Sequence, residues 1–134
     1  MDNINLEEFL KIAEKYIPKE SRKEFTLELY RKTAENDGQT DLGNCYKNGE
    51  EVEKDLDKAF ELYTKSAEQG NANAQFNLGV CYKYGIGTKQ DYNKAFEWFT
   101  KSAEQGNSDG QNNLGVCYVN GIGTKQDYNK AFKL

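Results

Sequence analysis

Three cysteines carry the most reactive side chains in this sequence of 134 residues, and they stand 36 positions apart at Cys45, Cys81 and Cys117. Thiolates bind zinc, but three ligands are one short of a closed structural site. Equivalent positions in adjacent packed helices also lie about 8 to 10 Å apart, beyond the roughly 7 Å limit between the Cα atoms of a disulfide. We therefore predict that each cysteine fills a core position as a small hydrophobe, and that neither EDTA nor reductant lowers the melting temperature.

The sequence offers little for catalysis. It contains no histidine, which removes the commonest general base and every triad that depends on imidazole. Ser66 and Ser102 are each followed three residues later by a glutamine, not by the lysine of a Ser-x-x-Lys motif. We predict that the chain is not an enzyme, binds no metal and needs no cofactor.

The composition indicates a thin core and an intracellular protein. Hydrophobic residues make up 37% of the chain and the mean hydropathy is -0.94, which suits an elongated core better than a thick one. The 18 basic and 22 acidic residues form no basic stripe, so we expect no nucleic-acid partner. The sequence has neither an apolar run near the roughly 20 residues of a membrane span nor the start of a signal peptide. We expect a cytoplasmic protein with no membrane partner, unless a leader has been removed.

A period of 36 residues organises most of the chain. Glycine, cysteine, tyrosine, alanine and phenylalanine positions recur at this step, and GIGTKQDYNKAF at 85–96 stands again at 121–132. Such self-similarity is the signature of a repeat architecture, in which each unit stacks on its neighbours. The period predicts repeats at 36–70, 71–106 and 107–134, the last of which is cut off within its second helix.

Residues 1–35 are interpreted as a degenerate hairpin that caps the N-terminal end of the array. LELYRKTAE at 27–35 parallels FELYTKSAE at 60–68, and a stripe of apolar residues with helical spacing precedes Pro18. The charged residues around this hairpin are what a capping unit requires, because its outer face meets water.

Each full repeat is predicted to form two antiparallel helices, named A and B in chain order. In the second repeat Asn71 supplies the N-cap of helix A and Asp91 that of helix B, while GIGTKQ between them contains two glycines and forms the turn. Gly106 ends helix B as a left-handed cap. Because each hairpin has apolar residues on more than one face, the hairpins must stack, which predicts an all-α solenoid with a 36-residue repeat.

The string AQFNLGVCYKYGIGTKQDYNKAFEWFTKSAEQGN resembles the Sel1-like repeat family, which is related to tetratricopeptide repeats. Units of that family open with A-x-x-x-L-G-x-x-Y-x-x-G-x-G and close with K-A-x-x-W-[YF]-x-K-A-A-E-x-G. The matching positions are Ala74, Leu78, Gly79, Tyr82, Gly85, Gly87, Lys94, Ala95, Trp98, Phe99, Lys101, Ala103, Glu104 and Gly106. The resemblance implies a right-handed α-solenoid that acts as an adaptor or scaffold for another protein or peptide.

The first repeat departs from this pattern at two positions. Gly38 stands where the second repeat has Ala74, and Glu51 replaces the loop glycine Gly87. We therefore expect helix A of the first repeat to start late and its loop to differ.

We predict that a partner segment binds along helix A, which in such solenoids faces the concave surface. The helix A positions that vary between repeats include apolar and aromatic residues, whereas drift at exposed sites would leave polar ones. Packing on the neighbouring helix A is the alternative explanation for some of them. Because the strip carries few charges, we expect weak salt dependence. The predicted contact residues are Thr40, Asn44, Lys47, Asn73, Phe76, Val80, Lys83, Tyr84, Asn112, Val116, Val119 and Asn120.

Three further possibilities stay open at this point. Asn44, Asn77 and Asn113 resemble the asparagines with which some tetratricopeptide domains clamp a carboxylate, but the cationic partners are missing, so we expect them to bond to neighbouring backbone. The chain could also be a regulatory or targeting array of a larger protein, with or without a catalytic domain. Alternatively, it could self-associate through its C-terminal end, where Ala131 and Phe132 would remain uncovered.

Overall fold

The structure, a computed structural model, describes residues 6–22, 24, 37–50 and 52–134, and all regular elements among them are helical. In chain order the helices are α1 (Leu6–Tyr16), α2 (Asp37–Asn48), α3 (Leu56–Glu68), α4 (Ala72–Tyr84), α5 (Tyr92–Glu104), α6 (Ser108–Asn120) and α7 (Tyr128–Phe132). Helix α1 is the helix predicted before Pro18. The segment LELYRKTAE lies outside the described residues, so the capping hairpin stays a prediction.

The helix boundaries come from capping residues that recur with the repeat. Asn71 Oδ1 accepts a hydrogen bond of 2.8 Å from the Ala74 amide at the start of α4, and Asp91 caps α5 in the same way. Helix α4 ends at Gly85, whose φ of 70° lies in the left-handed region that favours glycine. The third repeat has the same caps, so the predicted A and B helices are confirmed.

The helices stack as a solenoid. The A helices are α2, α4 and α6, the B helices are α3, α5 and α7, and each packs on its neighbours along the chain. Helix α4 also contacts α6 directly, so the A helices of the second and third repeats lie side by side. The predicted all-α solenoid is confirmed.

The core lies mainly between helix B of one repeat and helix A of the next. Tyr63 of α3 is buried with Leu78 and Cys81 of α4, and Phe99 of α5 is buried with Cys117 of α6. All three cysteines are buried and none of them forms a disulfide, as predicted for core positions. Burial raises the pKa of Cys81 to about 11, so its thiol stays protonated at neutral pH. The described part of the chain contains no group of three side chains that could hold a metal ion.

The first repeat was expected to depart from the others in the start of its helix A and in its loop. The described part of this helix begins at Asp37, and the residue before it lies outside the described residues, so the late start stays a prediction. The turn after it keeps the backbone hydrogen bonds of the other repeats: the Glu50 amide donates to the Cys45 carbonyl at 3.0 Å, as the next repeat's equivalent pair does at 2.9 Å. The expected difference between the loops therefore does not include these backbone hydrogen bonds.

Candidate partner-binding surface

The predicted contact residues of helix A fall into three groups by exposure, so they do not form the single continuous strip that was predicted. Thr40 is buried. Asn44, Lys47, Phe76, Val80 and Lys83 are half-buried, and the exposed members are Asn73, Tyr84, Asn112, Val116, Val119 and Asn120.

Thr40 packs inside the first repeat. Its side chain is only 5% exposed, and its Oγ1 lies 2.8 Å from the Ser66 Oγ of helix B. This hydroxyl pair joins α2 to α3. The expectation that Thr40 faces an accessible strip is therefore corrected, because a partner could not reach it without separating the two helices.

Phe76 and Val80 point toward the third repeat. Both pack against the buried cluster that contains Phe99 and Cys117, and the ring centroids of Phe76 and Phe99 are 6.0 Å apart. Lys83 lies in the same direction, because its ammonium lowers the pKa of the Cys117 thiol and partly offsets the increase caused by burial. Packing against this cluster accounts for the apolar side chains of Phe76 and Val80, whereas packing on the neighbouring helix A stays a prediction.

The variation between Asn44 and Val80 also has a structural cause. The two residues occupy equivalent positions, and Asn44 Oδ1 accepts a hydrogen bond from the Tyr63 hydroxyl, with 2.5 Å between the two oxygens. Phe99 takes the place of Tyr63 in the second repeat. A polar pair in one hairpin is thus replaced by an apolar pair in the next, so this difference follows the facing residue of helix B rather than a ligand.

The accessible face of the A helices is largely polar. It follows the helical spacing i, i+4, i+11, and we call it the A-strip: Asn73, Asn77, Tyr84, Asp109, Asn113 and Asn120. Among these, Tyr84 exposes 63% of its surface, with the Lys83 ammonium 5.2 Å from its ring centroid. Asn73 Oδ1 accepts a 2.7 Å hydrogen bond from Asn107, across the boundary between repeats.

The asparagines weighed from the sequence are not all in register. Asp41, not Asn44, is equivalent to Asn77 and Asn113, which the 36-residue step alone would have revealed. Asn113 Nδ2 donates a 3.0 Å hydrogen bond to the Asp109 carbonyl, so the expected bond to neighbouring backbone is confirmed there. Prediction of contact residues from the sequence left out Asn77 and Asn113, although both belong to the A-strip.

The C-terminal hairpin exposes a large apolar residue. Phe60 and Phe96 each pack edge-on against a tyrosine of the following repeat, Tyr82 and Tyr118, with ring centroids 5.5 Å apart in both pairs. Phe132 occupies the equivalent position in α7 and is 94% exposed. The predicted exposure of this residue is confirmed, and self-association through it stays a prediction.

Comparison with known proteins decides the family of this helical array. A family model of the Sel1 repeat matches residues 36–71, 72–107 and 108–134. The chain belongs to the Sel1 repeat family. Sel1 repeat proteins are generally protein-interaction scaffolds, and their fold is generally non-catalytic. No curated protein sequence matches the chain significantly.

Solved Sel1 repeat structures are similar to this chain. A Sel1 repeat protein from Oxalobacter formigenes is 38% identical, with a TM-score of 0.69 over 72% of this chain and 39% of that one. A protective antigen of uropathogenic Escherichia coli is 33% identical, with a TM-score of 0.78 over 98% of this chain and 32% of that one. The Helicobacter pylori cysteine-rich protein B shares the fold at 24% identity, with a TM-score of 0.61 over 98% of this chain and 87% of that one. This Sel1 chain thus spans about a third of the length of the first two proteins.

Among the residues that the structure describes, no helix is both long enough and apolar enough to cross a bilayer.

Proposed function

We propose that this Sel1 repeat chain binds an extended segment of a partner protein along its A helices. The observation that carries the proposal is the direct contact between α4 and α6, which brings the A-strip residues of two repeats next to each other. Thr40 is buried and does not belong to this surface, and Phe76 and Val80 pack against the core beneath the A helices.

The spacing of the A-strip fits an extended chain. Packed helices lie about 8 to 10 Å apart, and three residues of an extended chain span about 10 Å. Equivalent amides such as Asn77 and Asn113 would then meet every third residue of a partner that crosses the A helices. An asparagine side chain both donates and accepts, as a peptide unit does, so the amides suit the partner's backbone.

The exposed apolar side chains suit the partner's side chains. Tyr84 on α4 and Val116 and Val119 on α6 are exposed on helices that contact each other. An exposed tyrosine ring offers a partner a large contact area at little cost in side-chain entropy. We expect the partner to place apolar residues here, with weak salt dependence because the A-strip contains a single charged residue, Asp109.

The setting of this function is part of the same proposal. Three free cysteines suit a reducing compartment such as the cytoplasm. The chain would act as an adaptor by itself or as the interaction array of a longer protein, and any chemistry would belong to the partner or to another domain.

The test uses peptides selected from a random display library on the wild-type protein, with their affinities measured by fluorescence anisotropy. Tyr84→Ala and Val119→Asp should each weaken the selected peptides about tenfold or more, since exposed anchor residues commonly contribute over 1 kcal/mol to binding. Tyr128→Ala is the matched control, because Tyr128 is also 63% exposed but lies outside the A-strip. Unchanged affinity in both of these helix A variants, with unchanged helical circular dichroism, would show that the partner binds elsewhere.

A further inference from the structure

The turns between helix A and helix B form an edge of the solenoid with an uneven charge. We call residues 49–58, 85–94 and 121–130, which are equivalent in the three repeats, the loop edge. The segment of the first repeat has five acidic and two basic residues, a net charge of -3. Each of the other two segments has two lysines and one aspartate, a net charge of +1. The edge is therefore acidic at one end and basic along the rest.

The charges of the loop edge point into solvent. Glu53 and Asp57 of the acidic part and Lys89 and Lys125 of the basic part are all exposed. None of them forms an ion pair with another of the described residues. Charges in this state are available to a second molecule, because binding would break no existing pair.

The basic part is preserved between repeats beyond what packing requires. Residues 85–96 and 121–132 are identical at all twelve positions, whereas 71–84 and 107–120 differ at six of fourteen. Some of this identity has an internal cause: Gln90 Nε2 donates to the Lys83 carbonyl at 2.7 Å and so closes the end of α4. No contact of this kind involves the Lys89 side chain, which nevertheless recurs.

The two parts of the edge also differ in shape. The acidic part contains an open recess of about 360 Å³, lined by Tyr46, Val52, Glu53, Lys54, Asp55 and Lys58. The basic part carries two exposed tyrosines, Tyr92 and Tyr128, whose hydroxyls accept hydrogen bonds from neighbouring glutamines at 3.2 and 2.8 Å. Each hydroxyl can still donate to a carboxylate such as Glu53 or Asp55, so a protruding tyrosine can meet the carboxylates of this recess, whose lining also contains Lys54 and Lys58.

We propose that the loop edge binds a second copy of this chain in antiparallel orientation. The acidic part of one molecule then faces the basic part of the other, and a twofold axis makes the same contact twice. The occupant is a second copy because this chain itself carries both surfaces of opposite charge. The surface is distinct from the A-strip, so the inference does not depend on the proposed function.

Ionic strength and charge reversal test the pairing. The Debye length falls from about 10 Å at 0.1 M salt to about 3 Å at 1 M, so sedimentation equilibrium should show a dimer that dissociates as salt is raised. Glu53→Lys with Asp57→Lys, and separately Lys89→Glu with Lys125→Glu, should each raise the dissociation constant about tenfold or more. Lys65→Glu with Lys101→Glu is the matched control, because it makes the same charge change at two equivalent positions of helix B.

Mixing the two reversed variants gives the decisive result. One variant then carries only basic contact surfaces and the other only acidic ones, so an equimolar mixture should form a heterodimer although neither variant dimerises by itself. A wild-type protein that stays monomeric near 1 mM in 0.1 M salt would overturn the proposal. So would a dimer that both reversed variants leave intact, or one that only Phe132→Asp dissociates, since that result would assign the contact to the C-terminal hairpin.

Discussion

Replacing Asn44 with valine should destabilise the first repeat, because it removes the acceptor of a buried hydroxyl. The Tyr63 side chain is fully buried, and burial raises the pKa of its phenol well above the usual range. Its hydroxyl donates to Asn44 Oδ1 across the A–B hairpin. A valine at this position leaves the hydroxyl without a protein acceptor and without access to water.

The second repeat supplies the compensating change. Leaving a buried hydroxyl unpaired costs about 1 to 3 kcal/mol, whereas replacing both partners with apolar groups of similar shape is nearly neutral. Asn44→Val should therefore lower the free energy of unfolding by about 2 kcal/mol, or the melting temperature by about 8 °C at roughly 4 °C per kcal/mol. Tyr63→Phe should cost about 1 kcal/mol or less, because Asn44 is only half-buried and water can satisfy its amide. The double variant reproduces the pair formed by Val80 and Phe99, so we expect it to be close to wild type.

Urea unfolding followed by circular dichroism measures this cycle. The expected coupling energy between the two substitutions is about 2 to 3 kcal/mol, in the direction of rescue. Val80→Asn is the reverse control, since it places an amide near the Phe99 ring, where no hydroxyl is available, and should be destabilising. The reasoning would be refuted if the double variant lost the sum of the two single losses.

Three other perturbations have expected outcomes. A Cβ atom on Gly79 would lie 2.7 Å from the Phe99 ring, so Gly79→Ala should destabilise the folded protein by about 1 to 3 kcal/mol in thermal unfolding. A Cβ atom on Gly115 would have its nearest contact at 3.7 Å, so Gly115→Ala should be neutral or stabilising. Burial raises the pKa of Cys81 from near 9 in the unfolded chain to about 11 in the folded one, so the free energy of unfolding should fall by up to about 1.4 kcal/mol per pH unit between those values. Urea titrations at several pH values should show this slope, and Cys81→Ala should reduce it. If the exposed Phe132 drives association, Phe132→Asp should convert oligomers to monomers in sedimentation experiments, and an unchanged profile would exclude it.

The helices and the repeat could be predicted because the signals that define them are local. Asn71, Asp91 and Gly85 lie within a few residues of the backbone groups they cap, so their identity and spacing are sufficient to predict the helix ends. Burial of the cysteines followed from their position on the apolar stripe of each helix A. In the first turn the two backbone hydrogen bonds that frame the other turns are kept although the loop sequence differs, and how the loop itself differs stays a prediction.

The contact residues were harder to predict, because a helix inside the stack packs against several neighbouring helices. Phe76 varies between repeats and is aromatic, which suits a ligand-binding position, yet it packs on Phe99 of its own hairpin and on the following repeat. Thr40 varies equally and is buried against Ser66. The sequence pattern identifies the main apolar stripe of each helix A. It does not show whether a residue outside that stripe faces a neighbouring helix or solvent.

The amino-acid sequence alone therefore determined the 36-residue period, the paired helices, their caps and the family resemblance, because all of these depend on residues close together in the chain or on exact internal repetition. Only the tertiary structure decided which side of each A helix remains accessible, because that depends on the direction in which one hairpin stacks on the next. The same stacking explains why Asn44 and Val80 differ at equivalent positions, since the residue that each one faces comes from helix B, nearly twenty positions further along the chain.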